Sequence, residues 1–220
     1  MRIISGIAVV ALLAQSAHAQ SPEAVMDRAV RSYESMKSLR AEFTQTITNP
    51  LTGTTSVSSG ELLRKQPNLL AINFTNPKGD RVVADGKAVW VYLPSTAPGQ
   101  VVRLTAKSKA ADNVDPGALF LSSPRTKYTM KSEAKQVVGG VNTDVVVLWP
   151  KAANPPFTRA KVWLDSDGAV KQFEVVDASG LTRRVVIDKL TANPTIPASA
   201  FKFTPPPKTR VLDSAAFSGM

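Results

Sequence analysis

The sequence predicts a mainly β, α+β domain: one curved antiparallel sheet or barrel of about eleven strands, covered by an N-terminal helix and a short helical insert. Three observations predict this. A hydrophobic period near 3.6 runs only from about Pro22 to Ser38, and from Leu39 onward the period is two. Turn clusters rich in Gly, Pro, Asn and Asp separate the alternating segments at short intervals. Only Thr105 to Arg125 breaks the alternation for long, and no linker divides the chain. About 200 residues are enough for one sizeable core.

The first 19 residues, MRIISGIAVVALLAQSAHA, read as a cleavable export signal. They have a basic start, an apolar run from Ile3 to Ala14, and Ala17-His18-Ala19 before the expected cut. That run is shorter than the roughly 20 residues of a membrane span, so secretion is expected over anchoring. Residues 20–220 are then one exported domain. The chain has no cysteine, so it carries no acylation site for a lipid of its own and no disulfides, and a soluble product held together by its core is expected.

In the helix, Ser21 is the candidate cap before Pro22. Val25, Met26, Ala29, Val30, Tyr33 and Met36 form an apolar stripe opposite Asp27, Arg28, Arg31, Glu34 and Lys37. This helix must lie on something apolar. Strand-like alternation follows at Leu39 to Thr48, Thr55–Lys65, Leu69–Thr75, Arg81–Asp85, Lys87–Leu93 and Gln100–Leu104. Asp85-Gly86 between two apolar runs is a hairpin signal. In the insert, Ala, Lys and Asp precede Pro116-Gly117-Ala118-Leu119-Phe120-Leu121, which is long enough for one or two helical turns. Alternation returns at Lys127–Lys131, Ala134–Val138, Thr143–Trp149, Arg159–Leu164, Val170–Asp177 and Leu181–Leu190. The turns among these include Asp165-Ser166-Asp167-Gly168 and Asp177-Ala178-Ser179-Gly180. A final strand is expected at Phe201–Thr204, stopped by Pro205-Pro206-Pro207.

Composition narrows the chemistry. His18 is the only histidine, and the expected cut removes it. Without imidazole or thiolate there is no Ser-His-Asp or Cys-His machinery, no Cys/His zinc site, and no haem ligated by either group. A binding or carrier role without catalytic residues, metal or cofactor is expected. The formal charge is +10, but the Lys and Arg residues are scattered singly, as on a solvated face. Nucleic acid is not expected as a partner, whereas anionic headgroups or an acidic protein are compatible with the surplus. Asp165, Asp167 and Gly168 start like a calcium loop but lack its later ligands, so a hairpin turn is the reading. Asp80, Asp85 and Asp112 to Asp115 offer carboxylates in turns, too weak a pattern for paired acid and base chemistry.

The large apolar residues are more informative. Met36, Leu62, Leu70, Ile72, Phe74, Trp90, Tyr92 and Phe120 are the candidates for a cavity or its lid, because a curved sheet lidded by helices leaves apolar space that side chains need not fill. An ordinary packed core is the competing reading for each.

Several segments in series resemble the LolA family of outer-membrane lipoprotein carriers. They are Leu39-Arg40-Ala41-Glu42-Phe43-Thr44-Gln45, Gly60-Glu61-Leu62, Lys65-Gln66-Pro67-Asn68-Leu69-Leu70 and Val83 to Tyr92, then Val162-Trp163-Leu164-Asp165, Phe173, and Phe201 to Pro206. The resemblance spans nearly the whole exported chain. It implies an incomplete β-barrel whose hydrophobic concave face is lidded by helices. It also implies a monomeric periplasmic chaperone that takes lipoprotein acyl chains from an inner-membrane ABC transporter complex to an outer-membrane receptor. Two alternatives stay open: a carrier of another envelope lipid or glycolipid, and a lipid-sensing regulatory domain. The family commonly has an Arg directly before the Pro-Asn, which helps latch the lid; here Gln66 stands there and lacks the charged fork. Arg64 is the candidate substitute, with solvation as its expected fate.

Overall fold

The computed structural model describes residues 20–105 and 114–213. The export signal read at residues 1–19, the first half of the insert at residues 106–113, and residues 214–220 lie outside them. Helix α1 (Pro22–Ser35) starts as the sequence indicates, with the Ala24 amide donating to Ser21 Oγ at 3.2 Å. It ends three residues before Ser38 because the sheet claims the chain there. The Lys37 amide donates to Asn193 Oδ1 at 2.8 Å, and the Ser38 hydroxyl donates to the Pro194 carbonyl at 2.6 Å.

The strands are β1 (Ser38–Asn49), β2 (Thr54–Lys65), β3 (Leu69–Asn76), β4 (Arg81–Asp85), β5 (Ala88–Tyr92), β6 (Gln100–Thr105), β7 (Tyr128–Val138), β8 (Val141–Pro150), β9 (Arg159–Leu164), β10 (Val170–Val176), β11 (Thr182–Ala192) and β12 (Arg210–Asp213). They form one open 12-stranded sheet in the order β12-β6-β5-β4-β3-β2-β1-β11-β10-β9-β8-β7. Two antiparallel meanders, β1 to β6 and β7 to β11, are therefore joined along β1 and β11. The sheet does not close into a barrel. Strands β6 and β7 are consecutive in the chain but lie near opposite edges, so the connection between them has to traverse the sheet. That connection carries α2 (Pro116–Leu121) and α3 (Pro124–Lys127), which is why an insert in sequence becomes a cover in space.

Three expectations about strands are corrected. Lys127–Lys131 and Ala134–Val138 are one strand, β7, with an irregularity between Glu133 and Gln136. Phe201–Thr204 is no strand: Ala198–Phe201 is a 3-10 turn, and Phe201 and Phe203 pack on the convex face of β2 to β5. The prolines only interrupt the chain, which returns as β12, parallel to β6 with Arg210 opposite Gln100.

The hydrophobic material lies on both faces. On the concave face, Val25, Met26 and Ala29 of α1 join Val146, Leu148, Ala160, Val162 and Leu164 in a solid core over the β8 and β9 half. The turn between β9 and β10 closes against α1: Gly168 has φ +83°, and a Cβ there would lie 2.8 Å from the Arg28 carbonyl. On the convex face, Leu63, Ala71 and Val83 are buried under Ile196 and Phe201.

Candidate functional site

Helix α1 covers the β8 and β9 half of the concave face, and the other half stays hollow. A cavity of about 620 Å³ lies there between β10, β11, β1, β2, β3, β4 and β5, beneath α2 and the end of α1. Its floor follows from sheet register. Ala41 pairs with Leu62, Leu62 with Ile72, Ile72 with Val82, and Val82 with Val91, which lays an apolar row across five strands. Phe43 pairs with Ile187 on one side and Gly60 on the other, and Gly60 faces Phe74. The two phenyl rings meet edge to face at 5.7 Å across Gly60, where a Cβ would stand only 3.1 Å from the Phe43 ring. Leu62, Ile72, Phe74, Val82 and Val91 are only half-buried despite the lid above them. Leu62, Ile72 and Phe74 pack against the core on one side and border the void on the other, so part of their apolar surface is left without a packed neighbour.

The lid is held by a polar cluster at one end of this cavity. The Tyr33 hydroxyl donates to Asp115 Oδ2 at 2.6 Å, and Arg64 Nε pairs with the same oxygen at 3.2 Å. Asp115 Oδ1 meanwhile caps α2 by accepting from the Gly117 and Ala118 amides. Arg64 also donates through Nη1 to the Met36 carbonyl at 3.2 Å, and its guanidinium lies 4.0 Å from the Tyr33 ring centroid. Burial and the Asp115 charge push the Tyr33 phenol far up, so it stays a neutral donor. One carboxylate thus ties together α1, α2 and β2. Gly117 lets the helices approach, since a Cβ there would collide with the Tyr33 ring.

Of the residues singled out in the sequence, Met36, Leu62, Ile72, Phe74 and Phe120 line the cavity. Leu70 shares their sheet face but lines an adjoining, more polar cleft of about 500 Å³ with Arg64, Ala118 and Ser122. Trp90 and Tyr92 require correction. They point to the convex face, where both rings lie against Phe203 at 5.7 and 5.8 Å, and it is Val91 between them that lines the cavity. Segment 88–92 is apolar at every position because both its faces are covered, so alternation carried no signal there. Arg64 is also corrected: its side chain is only 11% exposed and sits in the lid cluster instead of in water. Gln66 reaches the same place from outside, donating through Nε2 to the Glu34 and Met36 carbonyls at 3.1 and 3.3 Å. The pairing of Tyr33 with Asp115 leaves no local pattern in the sequence, because the two are 82 residues apart. Phe43 and Ile187 were legible in the alternation of β1 and β11.

Asp112 lies outside the described residues, and the other turn carboxylates are tied up structurally. Asp80 accepts from the Ser95 amide and hydroxyl, Asp85 from the Trp90 indole and two turn amides, and Asp165 from the Asp167 and Ala169 amides of its own hairpin.

A family model described as outer membrane lipoprotein carrier protein LolA matches residues 34–204, well over half of the chain. The chain belongs to the LolA family. Among curated LolA relatives named outer-membrane lipoprotein carrier protein, the one from Haemophilus influenzae is 28% identical over 176 residues, 80% of each chain. That from Dechloromonas aromatica is 28% identical over 198 residues, 89% of each. The LolA-type fold recurs in an uncharacterized conserved protein from Thermus thermophilus, with a TM-score of 0.56 at 14% identity, covering 88% of this chain and 99% of that one.

Proposed function

We propose that this protein is a non-enzymatic periplasmic carrier that shelters the acyl chains of lipoproteins in its concave cavity. The observation that carries the reading is the half-buried apolar floor formed by Leu62, Ile72, Phe74 and Val91 beneath a lid held by polar contacts. Membership of the LolA family and the names of its curated relatives support the same reading. Each methylene withdrawn from water contributes about 0.8 kcal/mol, so long acyl chains cross an aqueous compartment only inside such a shelter. The volume of about 620 Å³ is that of a small-molecule pocket, typically about 300–1,000 Å³, which is less than a triacylated cargo needs. The lid therefore swings outward on loading, and the Arg64–Asp115–Tyr33 cluster sets the equilibrium between closed and open forms. In this reading cargo arrives from an inner-membrane ABC transporter complex and leaves to an outer-membrane receptor that grips it more tightly.

Two experiments test the proposal. Purified protein incubated with spheroplasts should release acylated lipoproteins into the supernatant as soluble complexes, and depletion in the native bacterium should strand outer-membrane lipoproteins in the inner membrane. Absence of release together with normal sorting overturns the reading.

A further inference from the structure

The apolar floor of the concave face does not stop at the cavity. Beside the row Leu62, Ile72, Val82 and Val91 runs a second one: Arg64 pairs with Leu70, Leu70 with Ala84, and Ala84 with Val89. Each member stands two residues along its strand from its counterpart in the first row, so both rows lie on one face of the sheet. The second row floors the adjoining cleft of about 500 Å³. Apart from Arg64 its members are apolar, and the polar character of the cleft comes largely from its rim, where Asn68, Ser122 and Lys127 are exposed.

The wall between the two voids is thin. Val114 and Asp115 line both of them, so the entry to α2 is what divides the face. Asp115 is held there by contacts to side chains alone on the far side, the Tyr33 hydroxyl and Arg64 Nε. Arg64 has two further contacts that do not involve α2, the Met36 carbonyl and the Tyr33 ring. Lifting α2 therefore removes Asp115 from the wall while Arg64 stays against α1. The first void alone, at about 620 Å³, is too small for several long acyl chains, and the second nearly doubles the space over a continuous floor.

We infer that the cleft floored by Leu70, Ala84 and Val89 is a second acyl-chain chamber, divided from the first by Val114 and Asp115 and joined to it when α2 lifts. This inference rests on the acyl-cavity reading and deepens it, by assigning a place to the additional chains of a multiply acylated cargo.

Calorimetric titration of the full exported protein tests it, with a tripalmitoylated cysteinyl peptide and its monopalmitoylated counterpart in the same mild detergent, beside Ala84→Phe. The phenyl ring occupies the second chamber and leaves the first intact. Ala84→Phe should bind the tripalmitoylated peptide at least roughly tenfold more weakly than the wild type does, because each methylene returned to water is worth about fourfold in affinity. Its affinity for the monopalmitoylated peptide should be that of the wild type. A second measurement needs no change in the floor. The chain has no cysteine, so Ser122→Cys carries a single bimane label at the rim of the cleft. Brominated acyl chains on the triacylated peptide should quench it, and those on the monoacylated peptide should not. If Ala84→Phe binds both peptides as the wild type does, or weakens both equally, or if the label is not quenched at saturation, the second chamber is refuted while the acyl cavity stands. If the wild type binds neither peptide, the acyl-cavity reading itself fails and the second chamber with it.

Discussion

Arg64 and Gln66 lie two residues apart and both donate to the Met36 carbonyl, yet they differ in what they leave behind when removed. Arg64 is buried and shares Asp115 with Tyr33, so Arg64→Met leaves a half-buried carboxylate without its cation. A loss of about 3 kcal/mol is expected in urea denaturation. Gln66 is exposed, and Gln66→Ala should cost about 0.5 to 1 kcal/mol. The reverse ranking would return the latch to the Gln66 position. Asp144 offers a pH-dependent counterpart, since it ties α1 to β8 through Arg28 at 2.6 Å and also meets Lys135 at 2.8 Å. Burial raises its carboxyl pKa, but the hydrogen bonds and charges of Lys135 and Arg28 outweigh burial and hold it below the ordinary value. A depressed folded value means the stabilisation is complete above the unfolded range near about pH 3.9 and fades as pH falls through the folded value. Asp144→Asn should therefore lower the thermal midpoint at neutral pH, with the gap to wild type closing in acid. A gap that persists unchanged would assign Asp144 a role in shape instead of charge.

At the scale of elements, two glycines decide how closely the covers approach. Gly117 admits the Tyr33 ring between α1 and α2, and Gly168 admits the backbone of α1 against the β9–β10 turn. In Gly117→Ala the obstacle is a side chain already held by Asp115, so the helices must part. A destabilisation of about 1–3 kcal/mol is expected, with faster hydrogen exchange in α2 and little change in the strands. Exchange that stays slow in α2 would show that the lid absorbs the methyl without opening. The same elements explain why the helical insert is a lid at all. It connects β6 to β7 from one side of the sheet to the other, and α2 buries Phe120 and Leu121 in the core of the concave face.

At the scale of the whole molecule, the sheet has a filled side and a hollow side, and the two can be perturbed separately. Phe203→Ala strips the cover from Trp90 and Tyr92 on the convex face and should cost about 3 kcal/mol or more without altering acyl-ligand affinity. Ile72→Trp enlarges a half-buried side chain that faces the void, so it should leave the melting temperature nearly unchanged and weaken acyl binding severalfold. Titration and thermal melting of the two variants together check the division. If Phe203→Ala abolished binding at preserved folding, the convex face would belong to the site after all.

Local patterns in the sequence determined the helix start at Ser21, the hairpins at Asp85-Gly86 and Asp165 to Gly168, and the strand alternation that put Leu62, Ile72 and Phe74 on one face. These are choices made within a few residues, where capping, turn chemistry and period act directly. Tertiary structure alone decided that Trp90 and Tyr92 face outward, because segment 88–92 is apolar on both sides and the C-terminal chain supplies their cover. It also turned Phe201–Thr204 from an expected strand into that cover, and it took Arg64 out of water. The pairing of Arg64 with Asp115 and Tyr33 joins three distant segments, and a long-range ion pair leaves no periodic trace in any of them.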